Sequence, residues 1–250
     1  MSWFREPSPN ASLRVFCFPH AGGGSVDYRR WAREAPPHLD ICPVLLPGRE
    51  GRLGESPFDR MTELIPALAE GVKGALKPTP FLFLGHSMGA WIAYELAAHL
   101  AAQGDPTPAH LVVVARRAPQ FPARLPPLSA LPEAAFVAGV QDRYGAFPPQ
   151  LLAQPALLNI FLPALRADFT LLDTYTPTEH GPLPLPITAI GGSQDHTVTH
   201  NDLDGWRTHT SRDFERIEIQ GGHFLPREPD SGLLETVLDL AEHTLDHPER

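Results

Sequence analysis

Cysteine is scarce in this chain: Cys17 and Cys42 are the only two in 250 residues. That excludes a disulfide framework, and no Cys/His spacing resembles a zinc site. Each lies in an apolar run, Val15-Phe16-Cys17-Phe18 and Ile41-Cys42-Pro43-Val44-Leu45, so both read as buried reduced thiols acting as small hydrophobes. Long hydrophobic runs are missing as well. Nothing approaches the ~18 residues of a membrane span, and Met1-Ser2-Trp3-Phe4-Arg5-Glu6 has no signal-peptide core, so a cytoplasmic location is expected, without a membrane partner. Positive charge is also in deficit. Lys and Arg total 20 against 29 Asp and Glu, a net charge of -9, which argues against a nucleic-acid binder. Arginines nevertheless cluster at Arg29, Arg30 and Arg33, at Arg49 and Arg52, and at Arg116, Arg117 and Arg124, a pattern that permits a local basic patch on an acidic protein.

What is present is enough apolar residue, 42%, to bury one substantial core, and the whole span 1–250 reads as a single domain. Strand-like runs recur at 13–18, 40–45, 81–84, 111–115, 187–190 and 214–219. Helix-like segments separate them at about 25–35, closed by Pro36-Pro37, at about 60–76, at 88–103 and at about 231–246. Pro66 is expected near the first turn of the second of these. Such alternation predicts an α/β fold with a mostly parallel central sheet flanked by helices. The segment 118–186 breaks the rhythm with many prolines around short apolar stretches. A connection of that length should not be structureless, so it is read as a helical lid insertion.

One pentad carries chemistry. Gly85-His86-Ser87-Met88-Gly89 follows the apolar run Phe81-Leu82-Phe83-Leu84 and opens a strong helix former, the setting in which G-x-S-x-G forces serine into a sharp turn with its hydroxyl exposed. Ser87 is the candidate nucleophile. His86 beside it is not its base, because neighbours in a tight turn point apart.

Serine needs a base and a group to orient that base. In open α/β sheets such groups gather beyond the carboxyl ends of strands. There the sequence offers Asp195 in Gly191-Gly192-Ser193-Gln194-Asp195 and His223 in Gln220-Gly221-Gly222-His223. The order Ser87, Asp195, His223 is that of α/β-hydrolases. Asp168 and Asp173, within the insertion, and Asp202, a turn beyond a strand end, are rival acids; the strand at 111–115 is followed by Arg116-Arg117 with no carboxylate. For the oxyanion hole the backbone N–H groups of Met88, after the nucleophile, and of Ala21, in Pro19-His20-Ala21-Gly22-Gly23-Gly24, are the candidates. Read as a phosphate loop, that glycine run lacks the following Lys-Ser/Thr pair. No cofactor and no metal is expected.

With these residues in place, the chain resembles the type II thioesterases that accompany polyketide synthases and nonribosomal peptide synthetases. The resemblance rests on Phe18-Pro19-His20-Ala21-Gly22-Gly23, Leu46-Pro47-Gly48-Arg49, Gly85-His86-Ser87-Met88-Gly89-Ala90, Arg116-Arg117-Ala118-Pro119, Leu165-Arg166-Ala167-Asp168 and Gly221-Gly222-His223-Phe224, in order along nearly the whole chain. It implies an α/β-hydrolase fold with a helical lid after the sixth strand, and hydrolysis of acyl groups from the phosphopantetheine arm of acyl or peptidyl carrier proteins. It carries over Ser87, Asp195 and His223 as the triad and Ala21 and Met88 as oxyanion donors. Two departures stand out: Val114-Ala115 where Ser-Gly is common, and Gln194 where a second acid is common. The short stretches outside the first strand and last helix leave no room for a fused carrier domain, so the substrate is expected to arrive on another protein and the enzyme to be a monomer. A small-molecule carboxylesterase or lipase, and a hydrolase-like binding protein without catalysis, are the alternative readings.

Overall fold

A computed structural model describes residues 2–76 and 79–247; the remainder of the expected 1–250 domain lies outside the described residues. Six strands form one sheet: β1 (Leu13–Phe18), β2 (Leu39–Pro43), β3 (Phe81–His86), β4 (His110–Val114), β5 (Ile187–Gly192) and β6 (Phe214–Ile219). Their order is β2-β1-β3-β4-β5-β6, and every pair is parallel. The helices are α1 (Trp31–Glu34), α2 (Met61–Val72), α3 (Met88–Gln103), α4 (Glu133–Tyr144), α5 (Pro149–Leu152), α6 (Pro155–Asp173), α7 (His200–Asp204) and α8 (Leu233–Asp246).

Alternation along β1 builds the layers. Leu13, Val15 and Cys17 pack with Tyr28, Trp31 and the Leu233, Leu234 and Val237 face of α8, whereas Phe16 and Phe18 pack with α2 and α3 on the other side. Both faces are covered over β1, β3 and β4, which is why these strands are buried throughout, whereas the edge strand β6, FERIEI, interleaves charged residues and stays partly exposed. Both cysteines are buried and unpaired. Burial pushes each thiol well above its usual range, so they behave as packing groups.

Two helices and the place of one proline differ from expectation. The stretch 25–35 is a 3-10 turn over Ser25–Tyr28 followed by the four-residue α1; Ala35, held extended at ψ 143 by the proline after it, ends the run. The helix expected to 76 stops at Val72 and tightens into a 3-10 turn over Lys73–Ala75. Pro66 lies in the second turn of α2 rather than the first. It is tolerated because Thr62, whose carbonyl loses its partner, is exposed alongside it and can bond water. By contrast α3 runs as expected and ends in a Schellman turn: Gly104 takes φ +71 and Asp105 donates to the Leu100 carbonyl at 3.0 Å.

The insertion is the three-helix lid α4, α5 and α6, with its own apolar cluster around Phe136, Val140, Leu162 and Phe169. Its prolines start helices rather than break them: Pro149 and Pro155 occupy first-turn positions, where the missing N–H costs nothing. The lid follows the fourth strand of this chain, not the sixth, and β5 and β6 come after it.

Topology alone locates the site. The chain passes from β1 outward to β2, then returns to lay β3 on the opposite side of β1. The loops leaving β1 and β3 therefore diverge and open a crevice at their carboxyl ends. Phe18 stands in register with Gly85 there, which brings the 19–24 loop beside the serine turn.

Candidate active site

Ser87 sits at φ 53 and ψ -113, a conformation that L-residues rarely adopt. Its surroundings hold it there: the Ser87 N–H donates to the Val114 carbonyl at 2.8 Å, and α3 starts at the next residue. Gly89 shows why the pentad needs its glycines. A Cβ there would lie 2.1 Å from the Phe18 carbonyl oxygen, so the elbow can nest against the end of β1 only without a side chain, and Gly85 is equally tight against Ala90.

The acid and the imidazole arrive from β5 and β6, whose ends are in register at Gly192 and Ile219. The loop after β6 crosses directly over the end of β5, where a Cβ on Gly192 would stand 2.4 Å from the Gly222 carbonyl oxygen. This crossing delivers His223 to the serine. His223 Nε2 lies 3.0 Å from Ser87 Oγ, and its Nδ1 lies 2.7 Å from Asp195 Oδ2. Both contacts are satisfied by one tautomer, with Nδ1–H donating to the carboxylate and bare Nε2 accepting from the serine hydroxyl. Burial pushes the Asp195 pKa up, but bonds from His223 and Thr197 outweigh it and hold the carboxylate below its ordinary value.

The sequence reading missed Thr197, whose N–H and hydroxyl both donate to Asp195 Oδ1, at 2.8 and 2.7 Å. Its position two residues after the aspartate was the available signal, since that spacing favours a local Asp turn. Each rival acid is occupied elsewhere. Asp202 caps α7 and pairs with Arg124, Asp173 accepts from the Leu128 and Ser129 N–H groups, and Asp168 pairs with Arg49.

Behind the site three imidazoles stand in a row, with centroids 5.1 Å apart for His20 and His86 and 5.5 Å for His86 and His223. His86 is buried and donates from Nε2 to the His223 carbonyl at 2.7 Å, so it steadies the loop of the base without touching the serine. Burial, aided by repulsion from His223, lowers its pKa to about 3. His20 is likewise held well below its ordinary value by burial, and its Nε2 accepts from Arg227 at 3.0 Å.

Neither the Ala21 nor the Met88 N–H donates to a protein acceptor among the described residues, so both are free for a ligand oxygen. The loop of Ala21 is fixed from the lid. Asp168 on α6 accepts from Gly22 N–H at 2.7 Å and from Arg49 at 2.9 and 2.8 Å, and Arg49 also donates to the Gly23 carbonyl. This explains two sequence motifs, Leu46-Pro47-Gly48-Arg49 and Leu165-Arg166-Ala167-Asp168, as halves of one buried pair. At the Val114-Ala115 departure, Ala115 adopts φ +52, where glycine would be unstrained; the turn is kept at a cost of about 1 kcal/mol.

Tyr144, Phe169 and Leu172 of the lid close over Ser87, which is only 5% exposed. The space beside it is about 20 Å³, room for about one water and not for an acyl chain, so lid side chains must move for a substrate to enter. Among the described residues no cluster of His, Cys, Asp and Glu could hold a metal, and no helix is long and apolar enough to cross a membrane.

The model of the thioesterase domain family matches residues 13–245. The chain belongs to the thioesterase family. The thioesterase is 36% identical over 236 residues to the gramicidin S biosynthesis protein GrsT of Aneurinibacillus migulanus, covering 93% of this chain and 91% of that protein. Among solved structures, it superposes on RedJ, a thioesterase of the prodiginine biosynthetic pathway in Streptomyces coelicolor, with a TM-score of 0.85 at 33% identity, covering 92% of this chain and 90% of RedJ. YbtT, a type II thioesterase of a yersiniabactin NRPS/PKS pathway, gives 0.83 at 30% identity, covering 96% and 98%. The fold is thus the α/β-hydrolase fold of thioesterases, and the protein is a serine hydrolase acting on acyl thioesters.

Proposed function

We propose that this thioesterase is a discrete type II editing enzyme that removes stalled or wrong acyl groups from the phosphopantetheine arms of acyl or peptidyl carrier proteins, with Ser87, His223 and Asp195 as its triad. One observation carries the reading: the unbroken hydrogen-bond chain from Ser87 through His223 to Asp195, in a chain similar over 96% of its length to a type II thioesterase of such a pathway. His223 takes the Ser87 proton as Oγ attacks the thioester carbonyl, and the Ala21 and Met88 N–H groups receive the oxyanion. His223 gives that proton to the pantetheine sulfur, which leaves as the thiol, an easier leaving group than an alcohol. Water then enters, and His223 removes its proton and returns it to Ser87 Oγ as the acyl-enzyme collapses to a free acid. Asp195, kept ionised, stabilises the imidazolium in both halves. No step calls on a metal or cofactor. The reading includes a cytoplasmic location, and it includes a monomer, since one chain supplies every residue of the route.

The test is turnover of acyl-loaded carrier protein beside a simple oxyester of the same acyl group, with Ser87→Ala as reference. Thioester hydrolysis should dominate, and the substitution should lower kcat by roughly 10⁶-fold. Turnover of the oxyester alone would make the protein a carboxylesterase; failure of Ser87 to label with a serine-directed phosphonate would remove it from catalysis altogether.

A further inference from the structure

A second cleft shares His223, Tyr144, Phe169 and Leu172 with the catalytic pocket and runs outward between the lid and the end of β4. Four guanidinium groups line it: Arg116, Arg117, Arg124 and Arg143. Only Arg124 has a carboxylate partner among the described residues, Asp202, and Asp173, the one acid on the lining, spends an oxygen on two backbone N–H groups. Arg117 and Arg143 donate only to carbonyls, those of Phe121 and Pro126. The Arg116 guanidinium makes no hydrogen bond among the described residues: it sits over Trp91, 3.4 Å from the ring centroid, with its Nε buried and unpartnered. Arg116 is buried, and a buried guanidinium without an acceptor is costly unless something else completes it.

We propose that this cleft is the entry for the phosphopantetheine arm, with Arg117 and Arg143 gripping its phosphodiester at the mouth and Arg116 donating to its amide carbonyls deeper in. The assignment rests on the function proposed above and adds the group by which the substrate is held. Its chemistry fits. Two amide units separate the thioester sulfur from the phosphate, so the phosphate must lie well outside Ser87, where Arg143 is on the exposed side of the cleft, while the amides pass the buried Arg116. A guanidinium fork matches a phosphate and needs no carrier-specific side chain, which suits an enzyme that must service many loaded carriers.

The experiment compares acyl-pantetheine with acyl-phosphopantetheine, the same acyl group with and without the phosphate, on the wild-type protein, Arg143→Gln, Arg117→Gln and, as a remote control, Arg212→Gln. The wild type should prefer the phosphorylated thioester by about tenfold or more in kcat/KM, largely through KM, with the preference shrinking as salt is raised. Either cleft substitution should bring the ratio toward one, and the control should leave it intact. Equal kcat/KM for the two thioesters in the wild type, or a ratio untouched by both cleft variants, would overturn the assignment while leaving the proposed thioesterase reading in place. Absence of all thioester turnover, with oxyesters still cleaved, would instead remove that reading and the cleft assignment with it.

Discussion

Asp168→Ala isolates what the lid contributes besides a cover. The aspartate is 2% exposed and accepts three bonds, one from Gly22 N–H and two from Arg49, itself 5% exposed. Truncating it strands a guanidinium in the interior, a change that costs about 3–5 kcal/mol when a buried pair loses one member. For a domain of this size each kcal/mol lowers Tm by about 2–4 °C, so a fall of roughly 6–20 °C is expected by calorimetry. Gly22 also loses its acceptor, and with it goes the constraint on the preceding Ala21 N–H. If that donor leaves the oxyanion, kcat should drop by up to about 10²–10³-fold below the melting transition, with a smaller change in KM. Asp168→Asn, which retains a carbonyl oxygen for Gly22 N–H, should recover part of kcat while remaining thermally weak. A Tm within a degree of wild type for Asp168→Ala would refute the energetic argument, and an unchanged kcat would refute the link from lid to oxyanion loop.

Gly89→Ala should reverse the usual preference for alanine in helices: the new methyl meets the Phe18 carbonyl at 2.1 Å, so chemical denaturation should show a loss of about 1–3 kcal/mol or more, together with lower kcat. His20, His86 and His110 are buried with pKa values lowered chiefly by burial, to about 3 for His86 and about 4 for His110, so the unfolded chain binds more protons than the native one below pH ~6.5. Stability should therefore fall as pH drops from ~6.5 toward 4, by up to about 1.4 kcal/mol per pH unit for each, and a flat denaturation midpoint across that window would contradict the neutral assignment. Replacing His110, whose Nε2 meets Thr188 Oγ1 far from Ser87 on the opposite ends of β4 and β5, with Gln should flatten part of that slope.

Sequence alone determined those features whose cause is local. The strand rhythm, the elbow around Ser87 and the glycines before His223 all follow from residue patterns within a few positions, and the order Ser87, Asp195, His223 restricted the hydrolase type. Prolines in the insertion were legible as an interruption but not as helix starts, because the same residue does both according to whether its N–H would have been needed. Tertiary structure decided the rest. Arg49 and Asp168 are 119 residues apart and become a pair only when α6 folds over the 19–24 loop; no periodicity links them. The same holds for His86 under the His223 carbonyl and for the guanidinium groups that gather from the end of β4, the start of the lid and α4. Charge and hydrogen bonding act through space at a few ångströms, whereas sequence patterns report faces of single elements, so contacts between elements had to await the fold.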